Sequence, residues 1–309
     1  MKEINYSIII PHKNTPELLE RCLASIPRRE DMQVIIVDDN SDENYVDFEC
    51  FPGLGEPCVE IYFTKENKGA GYARNIGMKY AKGRWLLFAD ADDFFNQKFI
   101  ETIDKYKDSS YDIIYFSVNS VFSDNLKKAD RGNLVHSMVM EALKSNDLNL
   151  LRYKRYQPWS KMISRELIRQ YNLYFEERII ANDIWFSVTS GYYAKNVKAD
   201  LTQLYCLTVR EGSLELVIDS KTYFNRIEAA CNVNDFLKNR GLFKYRFNIC
   251  LYMKNCSKLG FAILIKLVGK IFSHYNGYYS YLLYDLYHCI IRLFSTQDSN
   301  FRNFITIRR

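Results

Sequence analysis

Four short clusters in this 309-residue chain carry side chains able to do chemistry. Asp90-Ala91-Asp92-Asp93 sets hard carboxylate oxygens at alternating positions directly after the apolar run RWLLFA. Such donors suit Mg2+ or Mn2+, which take one or two carboxylates and complete their shells with phosphate oxygens and water. A metal held there would neutralise charge on a departing diphosphate, whereas the competing reading is a solvated acidic turn. Asp38-Asp39 closes a second apolar run, MQVIIVD. A carboxylate at that point accepts hydrogen bonds from a base or ribose, or makes an Asx turn with Asn40 and Ser41. Gly69 to Gly77 (GAGYARNIG) places small residues where a ligand can approach the backbone. Arg74 within it reads as a phosphate partner or as a structural ion pair to a strand-end Asp. Asn182-Asp183 opens a helical stretch, so Asp183 is either a general base for a hydroxyl or part of a helix N-cap.

Other chemistries lack their residues. The chain has no GxGxxG, no GxxxxGK[ST] and no GxSxG, which disfavours a dinucleotide site, a Walker-type NTPase and a serine hydrolase. Eight cysteines without a CxxC pair, and only four His, disfavour a zinc site. His12, beside Pro11, reads as a surface or packing residue rather than a catalyst.

The elements that must position these clusters follow from hydrophobic patterning. YSIIIP (6–11), MQVIIVD (32–38), VEIYF (59–63) and RWLLFA (84–89) are short, continuous apolar runs, the pattern of strands buried on both faces. TPELLERCLAS (15–25) and residues 71–81 have helical spacing, the first opening on Thr15 and Pro16. Residues 1–95 therefore alternate β-α-β-β-α-β, the α/β signature, and each polar cluster falls at a strand's carboxyl end, where open α/β sheets bind ligands. Beyond them, 111–118 and 200–211 read as strands. A helix is expected around 136–146, a run into helix over 158–168, and a helix over 181–194.

In composition the chain is 48% hydrophobic and 26% charged, with 13 Gly and 6 Pro, which excludes a disordered or collagen-like chain. Its net charge of +5 conceals an asymmetry. Residues 1–219 hold 28 Lys+Arg against 33 Asp+Glu, while 220–309 hold 14 against 4. We therefore divide the chain into a body, 1–219, and a basic extension, 220–309, which expects an anionic partner. No secretory signal is read at the amino end, and the cysteines read as reduced thiols, pointing to the cytoplasm. The most apolar stretch, 259–273, is short for a membrane span and is broken by Lys266 and Lys270.

Taken together, SIIIPHKNTPELLERCLASI, VIIVDDNSDE, ENKGAGYARNIGMKYAKGRWLLFADADD, PWSKMISRELI and ANDIWFS resemble, in order, the motifs of family 2 glycosyltransferases of the GT-A fold. The resemblance covers roughly residues 5–212 and implies a Rossmann-like mixed sheet flanked by helices, followed here by a helical extension. It implies an inverting, metal-dependent transfer of a sugar from a nucleotide diphosphate, usually a UDP-sugar, to an acceptor hydroxyl. Surface polysaccharide assembly would be the setting. By the same resemblance Pro11 lines the base pocket and Asp39 hydrogen-bonds the base. Arg74 sits near the base or diphosphate, and Asp90-Ala91-Asp92 matches the family's DxD, with Asp90 near the ribose or metal shell and Ala91 among the donor-binding residues. Asp92 holds Mn2+ or Mg2+, Asp183 is the catalytic base, and Trp159 and Lys161 border the acceptor side. Asn182 stands where the family has Glu, which touches the acceptor contact. Arg210, in VREGSL, would approach the diphosphate. The QxxRW motif of processive synthases is missing, which points to single addition. The alternative is a non-catalytic GT-A-like scaffold at the membrane.

The extension lies beyond the resemblance. Residues 275–294 (YNGYYSYLLYDLYHCIIRLF) mix six Tyr with aliphatic residues, near Lys258, Lys266, Lys270 and Arg292. They read either as an interfacial helix on an anionic membrane or as a helical subdomain packed on the body. The first reading places the protein on the inner face of the cell membrane, where lipid-linked saccharide acceptors are met. Without dense basic runs or a known motif, nucleic-acid binding is not expected.

Overall fold

The computed structural model describes residues 3–210, 220–252 and 261–294. The chain divides into two units, 1–211 and 212–309. In the first, β1 (Tyr6–His12), β2 (Met32–Asp39), β3 (Val59–Thr64) and β4 (Trp85–Phe88) alternate with α1 (Pro16–Ala24) and α2 (Ala70–Tyr80). β5 (Phe94–Phe95), α3 (Phe99–Asp104), β6 (Ile113–Phe122), α4 (Asn133–Ser145) and α5 (Asn149–Lys154) follow. The unit ends with β7 (Lys161–Ser164), α6 (Arg165–Gln170), α7 (Asp183–Tyr193) and β8 (Val197–Val209).

One eight-stranded mixed sheet runs β3-β2-β1-β4-β7-β6-β8-β5. β3, β2, β1 and β4 are mutually parallel, and β7 lies antiparallel to both β4 and β6. Every residue of β1, β2 and β4 is buried, as their unbroken apolar runs require of strands covered on both faces. Because parallel strands end at one edge, His12 lies opposite Asp38, and the turn after β4 opens on the same edge.

The sequence pattern over 158–168 predicts a run into helix, whereas a strand, β7, intervenes before α6. KMIS is too short for its alternation to announce a strand, and its place is created by the facing edges of β4 and β6. Thr15 occupies the N-cap of α1 but makes no side-chain capping bond; Pro16 opens the first turn, and the Thr15 amide donates to His12 Nε2 at 3.2 Å.

The second unit holds α8 (Ser220–Lys238), followed by short 3-10 turns at Phe243–Tyr245 and Ile249–Tyr252, and then α9 (Phe261–His274) and α10 (Tyr279–Phe294). Arg246 and Asp285 form a buried bidentate ion pair, 2.8 and 2.6 Å, which fixes α10. Tyr275 also donates its hydroxyl to Asp285.

Candidate active site

The acidic turn after β4 is clamped by three distant residues, two on β8 and one on α1. The Asp90 amide donates to the Tyr205 hydroxyl of β8 at 2.8 Å. Thr208 Oγ1 and the Arg21 guanidinium both donate to the Asp92 carbonyl, each at 2.7 Å. Trp159 stacks on Tyr205, centroids 5.9 Å apart, so this buried indole braces the residue that holds the turn. Ala91 is buried in the main core beneath. Asp93 is sealed inside, accepting the Thr208 amide at 2.6 Å; burial and then the neighbouring Asp92 charge push its carboxyl well above the usual range.

Arg74 joins this turn to the opening of α7. Its guanidinium contacts Asp90 Oδ1 at 2.5 Å and donates to Asn182 Oδ1 at 2.9 Å. Arg74 therefore takes the structural ion pair that its sequence context left open, and carries it into the site. It is brought there by tight backbone packing of α2. A Cβ on Gly71 would stand 2.3 Å from the Glu176 carbonyl, and one on Gly77 would stand 2.4 Å from Ile9. The small residues of this motif thus admit the chain's own loop and strand.

Asn182 occupies the N-cap of α7 yet makes no capping bond, because its side-chain oxygen is turned to Arg74. Asp183 follows as the first helical residue. Burial raises its carboxyl from the ordinary 3.8 to about 6, while the Arg74 charge opposes the rise. A carboxylate tuned so close to neutrality is suited to accept a proton from a hydroxyl. Lys161 lies fully inside, its ammonium donating to the Arg155 carbonyl at 2.8 Å and to Ser187 Oγ at 3.2 Å. Burial holds it well below its ordinary value, with Arg155 adding to that effect and Asp183 opposing it. Ser187 is one turn beyond Asp183, so Lys161 underlies α7 from within the core.

Asp39 ends β2 with its two carboxylate oxygens accepting the amides of Lys68 (3.0 Å) and Gly69 (2.7 Å), at the opening of α2. Its neighbour Asp38 instead accepts from His12 Nδ1 at 2.7 Å and from Ser41, making the turn that Asn40 and Ser41 suggest. Burial alone would raise the Asp38 carboxyl, but these bonds hold it below the usual range. Pro11 is buried in β1, opposite Val37. Arg210 follows β8 and reaches Asp92 Oδ2 with its Nε at 3.1 Å.

Of the three carboxylates in the acidic turn, Asp90 and Asp92 keep 31% and 25% of their side-chain surface open to solvent. Among the described residues no group of three or more His, Cys, Asp or Glu converges on one point. Two open, hard oxygen donors nevertheless fit Mg2+ or Mn2+, which commonly draws its remaining ligands from phosphates and water. Arg74 and Arg210 hold those two carboxylates, so a cation would have to share or displace them.

The structure thus brings Arg74, Asp90, Asn182 and Asp183 together by direct bonds and charge, with Arg210 on Asp92. Trp159 and Lys161 stand behind them as interior supports. Sequence reasoning did not single out Tyr205, Thr208 or Arg21. Their bonds to the acidic turn span 71 to 116 residues, and no local spacing announces such partners.

Residues 7–173 match the model of the Glycosyl transferase family 2 domain. The chain is 24% identical over 258 residues to the glycosyltransferase GlyA of Streptococcus pneumoniae, covering 76% of this chain and 35% of that protein. It is 27% identical over 215 residues to a poly(ribitol-phosphate) beta-glucosyltransferase of Bacillus spizizenii, covering 67% of this chain and 32% of that protein. The chain thus spans about a third of the length of these relatives. Its fold is similar to that of Staphylococcus aureus TarS 1-349 in complex with UDP-GlcNAc, with a TM-score of 0.60 and 21% identity over 87% of this chain and 73% of that one.

Proposed function

Because the chain belongs to glycosyl transferase family 2, we propose that it is an inverting, non-processive transferase. It would move a sugar from a UDP-sugar to a hydroxyl of a saccharide or lipid-linked saccharide acceptor. Relatives named for poly(ribitol-phosphate) and teichoic acid synthesis support a place in surface polysaccharide assembly. A UDP-GlcNAc complex of a structural neighbour supports UDP as the nucleotide. The observation that carries the reading is one guanidinium, Arg74, bonded both to Asp90 of the acidic turn and to Asn182 beside Asp183. It sets a proton acceptor and a diphosphate-facing carboxylate turn around a single cation.

In this reading Asp183 takes the proton of the acceptor hydroxyl as the new glycosidic bond forms. Inversion requires the acceptor oxygen in line behind the anomeric carbon, a position that the opening of α7 would set. Asp90 and Asp92 would hold Mn2+ or Mg2+, which would supply charge neutralisation to the diphosphate. Arg210 and Arg74 stand where phosphate oxygens can take over their ion pairs. Pro11 and Asp39 border the base, Asp39 also fixing the backbone at 68–69. Asn182 carries no charge, so Arg74 is offset by Asp90 alone among its bonded partners. The basic extension would keep the body at an anionic cytoplasmic membrane surface, beside lipid-linked acceptors.

A donor-hydrolysis and transfer screen with Mn2+ across UDP- and GDP-sugars tests the class. Asp183→Asn is expected to bind donor as wild type does and to lose transfer. Wild-type turnover in that variant would remove Asp183 as the base. Asp92→Ala is expected to abolish metal-dependent activity, and full wild-type activity in excess chelator would sink the metal assignment. Donor binding without any turnover in the intact protein would favour the scaffold alternative.

A further inference from the structure

The second unit carries two sets of apolar side chains, one buried and one exposed. Inward, Leu267, Ile271, Leu282 and Cys289 are buried, and Arg246 grips Asp285 beneath α10. Outward, α10 exposes Tyr279, Leu283, Tyr287, Ile290 and Ile291, with Leu283 the most open at 69%. Their spacing of four, four, three and one residues sets them on one helix face. Ile265 and Phe272 of α9, seven residues apart, are exposed likewise, at 56% and 62%. These seven are a large share of the big apolar side chains left open among the described residues, and no charged residue falls among the exposed positions of α10 from 279 to 291.

What covers such a face is decided by charge and length. Residues 220–309 carry 14 basic residues against 4 acidic ones. Three of the four acids are already engaged: Asp285 by Arg246, Glu228 by Lys270 at 3.8 Å and Asp235 by His274 at 3.1 Å. Lys266 remains exposed next to Ile265. A second copy would bring the same excess of positive charge and be repelled, whereas an anionic surface is attracted. α10 has 16 residues, short of the roughly 20 that span a bilayer, and among the described residues no helix is long and apolar enough to cross one. A helix of this kind, with Tyr among aliphatic residues, lies in the headgroup plane.

We propose that the exposed apolar stripes of α9 and α10 dock on a membrane: Leu283, Ile290 and Phe272 enter the acyl boundary, Tyr279 and Tyr287 sit at headgroup depth, and Lys266 meets anionic headgroups. This names the residues behind the membrane residence set out above and rests on that reading for its purpose. Because vesicle binding is read without sugar transfer, the two fail separately.

The test is flotation of the full chain with vesicles of phosphatidylglycerol and phosphatidylcholine, and of phosphatidylcholine alone. Wild type is expected to float with the anionic vesicles and far less with the neutral ones. Leu283→Glu/Tyr287→Glu should lower partition about tenfold or more, because each buried apolar group is replaced by a charge. Lys266→Glu, which leaves the apolar face intact, should weaken binding to anionic vesicles only. Circular dichroism and UDP binding unchanged from wild type verify folding, and Leu283→Ser replaces the double variant should it not fold. Wild type that stays at the bottom of the gradient overturns the proposal, as does a folded double variant that floats like wild type. A dimer by light scattering that the double variant splits, with flotation unchanged, overturns it too and assigns the face to self-association.

Discussion

Asp183→Asn should make the protein more stable at neutral and alkaline pH while removing its activity. Burial lifts the Asp183 carboxyl from 3.8 to about 6, so the folded state binds this proton more tightly than the unfolded chain does. Stability from this group is complete below about pH 4, declines as pH rises through about 6, and stays lost above. At about 1.4 kcal/mol per pH unit, the charged carboxylate costs at most about 3 kcal/mol at pH 8, and about 2 kcal/mol once the partial exposure of Asp183 is allowed for. Asparagine never ionises and escapes that cost. For a unit of this size the gain is about 4–8 °C in Tm at pH 8, falling towards zero near pH 4. Thermal melts of wild type and variant across pH 4–8 measure the difference. The kinetic counterpart is kcat/KM falling about tenfold from pH 7 to pH 5, as the base protonates. An ordinary carboxylate would leave it nearly flat over that interval. A variant no more stable than wild type at pH 8, together with a flat acid limb down to pH 5, would refute a desolvated base at this position.

Arg74→Met should shift the acid limb of kcat/KM upward, because the charge opposing the burial effect is gone; a profile at the wild-type position argues that Arg74 does not act on Asp183. Gly71→Ala should destabilise the body by several kcal/mol and raise the donor KM, since its Cβ would overlap the Glu176 carbonyl; chemical denaturation measures the first effect and donor titration the second. Tyr205→Phe should cost about 1 kcal/mol of stability through the lost partner of the Asp90 amide, with a larger loss in kcat than in donor affinity.

Much of the body was legible because local pattern carries it. Continuous apolar runs specify β1, β2 and β4, and the carboxylates after them follow from chain order alone, since parallel strands deliver their ends to one edge. The same logic divides the charge: a body with acidic residues at its strand ends, and an extension with a surplus of Lys and Arg. What spacing does not carry is the choice between partners far apart in the chain. Arg74 had two readings, and only packing of α2 against the loop before α7 brings it to Asp90 and Asn182, 16 and 108 residues away. Asn182 sits at a cap position, yet that distant guanidinium draws its side chain away from capping.

Lys161, which the PWSKMISRELI motif puts at the acceptor side, becomes an interior support because β7 fills the gap between β4 and β6. The Asp183 carboxyl rises only because folding strips it of water. Residue types, their order and their periodicity are properties of the chain, and they determined which groups are available for chemistry. Burial, charge neighbours and hydrogen-bond partners exist only once remote segments meet, so the tertiary structure alone decided which of those groups act on one another.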